Sequence, residues 1–164
     1  MKNLKVWFGV VGLILLGCYG MYSFLDEDKP ATSLDEDKSA TFRFTNAKTQ
    51  TSQFYEYYRS ITLTAEQEAV FREALSGIPA PCCSDQTAYT CCCKCNLGRS
   101  WWGLSKHLIA DKGYDAAHVE NTVKAWFEFI NPAGFSGKTC YVGGCDQSFH
   151  AGGCGGMKET QLNL

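Results

Sequence analysis

Asn96-Leu97-Gly98-Arg99-Ser100-Trp101-Trp102-Gly103-Leu104-Ser105-Lys106-His107-Leu108, continuing through Gly113 and Asp115 to Ile130, is the stretch that decides the fold. Leu97, Trp101, Leu104 and Leu108 recur at i, i+4, i+7 and i+11, the spacing of a helix with one apolar face. Asn96 reads as its N-cap and Asp111-Lys112-Gly113 as its end. Asp115 then caps a second helix on which Val119, Val123, Trp126, Phe127 and Ile130 share a face, stopped by Asn131-Pro132. The short connection makes the two an antiparallel αα-hairpin. The expected fold class is mainly α, a small helical domain whose remaining segments are cysteine- and glycine-rich irregular loops.

Upstream lies Pro81-Cys82-Cys83-Ser84-Asp85-Gln86-Thr87-Ala88-Tyr89-Thr90-Cys91-Cys92-Cys93-Lys94-Cys95-Asn96, which holds six of the ten cysteines. Packing does not account for that density, because the run lacks bulky apolar residues at a helical or strand period. Before it, Thr64-Ala-Glu-Gln67 forms a capping box for a helix carrying Val70, Phe71, Ala74 and Leu75, which stops at Gly77 ahead of Pro79 and Pro81. The prolines deliver an extended chain into the first cysteine pair. Phe54, Tyr55, Tyr57, Tyr58, Ile61 and Leu63, within residues 42 to 63, fit an aromatic helix and a strand equally well.

Downstream, Ala133 to Met157 contains eight glycines together with Cys140, Cys145, His150, Cys154 and Met157. Glycine loses much backbone entropy on ordering, so this tail must be fixed from outside its own backbone.

At the N-terminus Lys2 and Lys5 precede an uncharged run of 20 residues, Val6 to Leu25. A helix of that length crosses a hydrocarbon core of about 30 Å. The flanking lysines keep the short end in the cytoplasm and send the rest outward. Leu15-Leu16-Gly17-Cys18 offers the rival reading, a lipobox with Cys18 as the lipidated residue. Residues 1–25 are therefore a transmembrane anchor or lipoprotein signal. Residues 26–50 read as an acidic flexible linker, since Leu-Asp-Glu-Asp-Lys occurs twice, at 25–29 and 34–38, and such polar repeats stay solvated. Residues 51–164 form the cysteine-rich extracytoplasmic domain. The formal net charge is −2, and no basic patch marks a nucleic-acid partner.

Three chemistries compete for the cysteines. Nine lie beyond Cys18, an odd number, so full pairing leaves one thiol over. Disulfides staple small exported domains, and Cys82, Cys83 and Cys140 are the candidates for bridges. Thiolates also select soft metals, copper first and zinc as the alternative. Cys91, Cys92, Cys93 and Cys95 are one candidate ligand set, and Cys145, His150, Cys154 and Met157 a second, mixing thiolate, imidazole and thioether. Zinc-ribbon spacing is absent. Cys92-x-x-Cys95 is a redox candidate, its position before a helix N-terminus favouring thiolate. His107 and His118 read as core-edge or solvated residues, and Trp102, off the apolar stripe, as a surface aromatic. No haem-attachment, P-loop, GxSxG or HExxH motif occurs, so binding is favoured over catalysis.

From the capped helix through Ile78-Pro79-Ala80-Pro81-Cys82-Cys83 to the helix after the cluster, the chain resembles uncharacterised bacterial membrane-anchored lipoproteins built around a Pro-Cys-Tyr-Cys-Gly-Cys-type cluster. The likeness spans residues 64 to 110 and shares the order of parts. The chain departs from the motif after Pro81, where Cys82-Cys83 is followed next by Cys91. The resemblance carries over no particular activity and leaves the glycine-rich tail outside it. The N-terminal run places the domain in the cell envelope, on the periplasmic or extracellular side. The resulting expectation is a membrane-tethered binding or accessory protein handling copper. The alternatives are a disulfide-stapled subunit of a membrane protein complex and a thiol–disulfide redox protein.

Overall fold

The computed structural model describes residues 42–164, four α-helices with a two-stranded sheet and a tail of short 3₁₀ turns. The chain order is α1 (Ala47–Ser60), α2 (Ala65–Ser76), β1 (Pro79–Ala80), β2 (Cys83–Thr87), α3 (Asn96–Ala110) and α4 (Ala116–Ile130). The 3₁₀ turns are Thr139–Val142, Gly144–Asp146 and Phe149–Ala151. Among these residues no helix is long and apolar enough to cross a membrane. The anchor or signal at 1–25, Cys18 and the duplicated acidic repeat lie outside the described residues.

The ambiguous aromatic run resolves as helix. Asn46 caps α1 by accepting from the Thr49 amide at 2.9 Å, and Phe54 and Tyr55 are buried. Phe42 and Phe44 pack on the same core, with Phe44 5.2 Å from the Trp126 ring. Residues 42–50, which the sequence assigns to the linker, thus include the start of α1 and two aromatic side chains packed on the core. At α2 the capping box forms as expected, Thr64 accepting from the Gln67 amide and Gln67 from the Thr64 amide. Thr64→Ala should cost about 1 kcal/mol of unfolding free energy, read as a lowered urea midpoint with an unchanged slope; an unchanged midpoint would contradict the cap.

The hairpin is present. Trp126 Nε1 donates to Ser100 Oγ at 3.0 Å, and the Trp101 and Phe127 rings meet edge to face. Asp115 caps α4 as expected, accepting from the His118 amide. Two details of α3 differ from expectation. Its N-cap is Cys95, whose sulfur accepts from the Gly98 amide at 3.3 Å. Asn96 is instead the first helical residue, with its side chain fully buried. Trp102 is a core residue, not a surface aromatic, because α3 is buried on more than one side. Trp101 and Trp102 both donate from Nε1 to the Ala88 carbonyl, at 3.1 and 2.8 Å.

The proline-led segment is not wholly irregular. Pro79 and Ala80 pair antiparallel with Thr87 and Cys83, turning the chain at Pro81-Cys82 so that both cysteines enter the core. The tail is held by hydrogen bonds to other segments. Asn96 and Leu97 amides, which a helix start leaves without intrahelical partners, donate to the carbonyls of Gly156 and Cys154 at 2.9 and 3.0 Å. The Asn96 side-chain amide adds bonds to Gly155 and Lys158. Phe149 fills the space beneath the tail with no exposure. Gly155, at φ +71°, leaves no room for a Cβ against that ring, which would lie 2.3 Å away.

Candidate metal centre

Three chain segments bring sulfur to one place: β1–β2 with Cys82 and Cys83, the loop into α3 with Cys91 to Cys95, and the tail with Cys140, Cys145 and Cys154. Backbone bonds tie the tail to the other two segments and close it on itself. Cys140 N donates to Cys82 O at 3.1 Å, Leu97 N to Cys154 O at 3.0 Å and Gly156 N to Cys145 O at 2.8 Å. The sulfurs fall into triads whose members lie within 4.8 Å of one another: Cys82, Cys95 and Cys154; Cys82, Cys83 and Cys140; Cys140, Cys145 and Cys154. Three thiolates around one ion, each bound at about 2.3 Å, sit about 4 Å apart in a trigonal plane. The triads are compatible with that span.

The remaining cysteines adjoin these triads. Cys91 lies close enough to Cys82 for the two thiols to influence one another. Cys93 Sγ lies 3.9 Å from Cys140 Sγ and 3.7 Å from Cys92 Sγ. All nine described cysteines thus make one contiguous network, and all nine are free thiols. Burial is graded across it: Cys82, Cys83, Cys91, Cys95 and Cys154 are buried, Cys93, Cys140 and Cys145 partly buried, and Cys92 exposed.

The electrostatics centre on Cys95. Hydrogen bonds from Cys154 and Cys82, with that from the Gly98 amide, outweigh burial and hold its pKa down to about 3. Its place at the N-terminus of α3 adds the partial positive charge of the helix end. Cys91 is also lowered, chiefly by its hydrogen bond with Cys82. Cys82 is driven up by its contacts with Cys154, Cys91 and Cys95. Cys154 is lowered by Cys82 but raised more by Cys95 and burial. Within the buried triad the charged form is favoured at Cys95 and disfavoured at Cys82 and Cys154. At the outer edge burial pushes Cys140 up to about 11 and Cys93 up to about 12, and it raises Cys83 as well.

The two candidate ligand sets do not stay intact. Of the loop set, Cys91 and Cys95 turn inward to Cys82, Cys93 faces Cys140 and Cys92 points outward. Of the tail set, Cys145 and Cys154 join Cys140, whereas His150 is exposed and joins none of the described groups, and Met157 is exposed. The glycines explain the divergence: the chain reverses at Gly152 and Gly155, both at positive φ, so sequence spacing does not carry over into space. Cys82, Cys83 and Cys140, the bridge candidates, form one triad. The histidines take ordinary roles. His107 stacks on Tyr57 at 4.3 Å and contacts Asp111, and His118 bonds the Asp115 cap.

No family model, curated protein or solved structure matches the chain.

Proposed function

We propose that this chain is a membrane-tethered, extracytoplasmic protein that binds a soft metal, Cu(I) first, through the buried thiolate cluster. The observation that carries the reading is the convergence of sulfurs from three distant segments into triads. A disulfide consumes two sulfurs and excludes a third, whereas a soft ion such as Cu(I) can take three thiolates at once. The Cys82, Cys95 and Cys154 triad is the strongest single site, being fully buried and including the Cys95 thiol, whose charged form its surroundings favour. Three sulfurs suit Cu(I), because zinc in a structural site takes four ligands. Tethering rests on the apolar run after Lys2 and Lys5, and export on the charge rule for such segments.

The test is competition for copper. The full chain, purified in detergent and reduced under anaerobic conditions, is mixed with Cu(I) held by a coloured chelator. It should strip the chelator, and a Cys82→Ser, Cys95→Ser, Cys154→Ser variant should strip far less. If the reduced wild-type chain leaves the chelator fully loaded, the metal reading is wrong, and a disulfide-stapled subunit becomes the better account of the cysteines.

A further inference from the structure

The three sulfur triads are not independent. Cys82, Cys140 and Cys154 each belong to two of them, while Cys83, Cys95 and Cys145 each belong to one. Three separate three-sulfur sites would need nine ligands, and these triads offer six. All three fill together only if the shared sulfurs bridge.

Resting on the metal-binding reading above, we propose that the chain holds three Cu(I) ions in one closed ring, bridged by Cys82, Cys140 and Cys154, with Cys83, Cys95 and Cys145 each completing one ion. A thiolate keeps several lone pairs and can bind two soft cations at once, so bridging requires no extra protein ligand. The backbone is arranged for it. Two main-chain hydrogen bonds tie the tail to the other segments, Cys140 N to Cys82 O and Leu97 N to Cys154 O, and a third, Gly156 N to Cys145 O, closes the tail on itself. The sulfurs are thus preorganised by contacts that do not involve sulfur, and the ordering cost of gathering them is met by folding.

Three sulfurs per ion suit Cu(I), whereas three zinc ions would each want a fourth ligand. Here that ligand would have to come from Cys91 and Cys93, lying against ring sulfurs, and the exposed Cys92 beside Cys93. On loading, each sulfur still protonated releases its proton to solvent as its bond to copper forms. Copper arrives as Cu(I) and no electrons move. Six thiolates against three monovalent ions leave a triply negative ring, beside which the α3 N-terminus supplies partial positive charge.

The experiment loads the reduced full chain in detergent with Cu(I), added anaerobically as its acetonitrile complex, and reads native mass and copper X-ray absorption. The chain with three ions should build up at the expense of those with one or two, with a copper–copper scattering path. Sharing fixes the pattern among variants: Cys140→Ser removes a ligand from two triads and should leave one ion, Cys145→Ser removes one and should leave two, and Cys92→Ser should still carry three. Copper bound singly without a copper–copper path, or equal losses for Cys140→Ser and Cys145→Ser, would overturn the ring while leaving metal binding intact. No uptake by any form would overturn both.

Discussion

Gly103→Ala should lower the unfolding free energy by at least about 3 kcal/mol, a large share of the ~5–15 kcal/mol that holds a domain of this kind. Intrinsic propensity argues the other way, since alanine in a helix interior is worth about 0.5–1 kcal/mol over glycine. Packing decides the sign. A Cβ at position 103 would lie 1.8 Å from the Phe54 carbonyl oxygen and 2.7 Å from its carbon. These are backbone atoms of α1, so no rotamer change relieves the contact, and the helices must part. Separation would loosen the Phe54 and Trp126 pair, whose ring centroids are 5.1 Å apart at 80°. It would also disturb the bonds from Lys106 to the Tyr58 and Ile61 carbonyls that close the end of α1. Overpacking against side chains costs about 1–3 kcal/mol, and a backbone obstruction belongs at or beyond the top of that range. Urea unfolding followed by tryptophan fluorescence measures it. A midpoint equal to or above wild type would refute the close approach of α1 and α3.

What the sequence discloses here follows from how local each device is. The Thr64 and Asp115 caps are hydrogen bonds made within three residues, so residue type and spacing suffice to find them. The hairpin is legible for the same reason, as Leu97, Trp101, Leu104 and Leu108 mark one face by period alone. The second buried face of α3 is less obvious, but it has a signal: Gly98, Ser100, Gly103 and Ser105 are small residues that let other segments approach. Phe54, Tyr55, Tyr57 and Tyr58 are too closely spaced to separate helix from strand, and packing on α3 settles the matter. The Cys95 cap escapes any rule based on the usual capping residues, although a sulfur three positions before the Gly98 amide can serve. The sulfur triads depend on tail carbonyls meeting the first amides of α3, a contact about 57 residues long in sequence, from Leu97 to Cys154. No spacing rule reaches that far through a segment whose glycines reverse it.

Cys95→Ser should separate the two roles of this sulfur. As a helix cap, serine is among the preferred residues, so α3 keeps its start and the variant should fold. As a thiolate it has no substitute. Copper affinity should fall by about a hundredfold or more, given that even a ligand's supporting partner is commonly worth about 10–100-fold. The metal-free, reduced protein should show the loss as well. Cys95 has a folded pKa of about 3 against an ordinary value of 9.0, so between those limits the unfolded chain carries a proton that the folded chain does not. Its contribution to stability is complete above pH 9 and is lost as the pH falls through 3. Cys82 and Cys154 are raised, so their contribution is complete below pH 9 and declines above it. Stability of the reduced, metal-free chain should therefore climb towards pH 9. In Cys95→Ser the climb should be shallower, with the part due to the lowered Cys91 remaining. Urea titrations across pH, under reductant and chelator, decide it. Identical slopes for the two proteins would mean that Cys95 carries no stabilised charge in the metal-free fold.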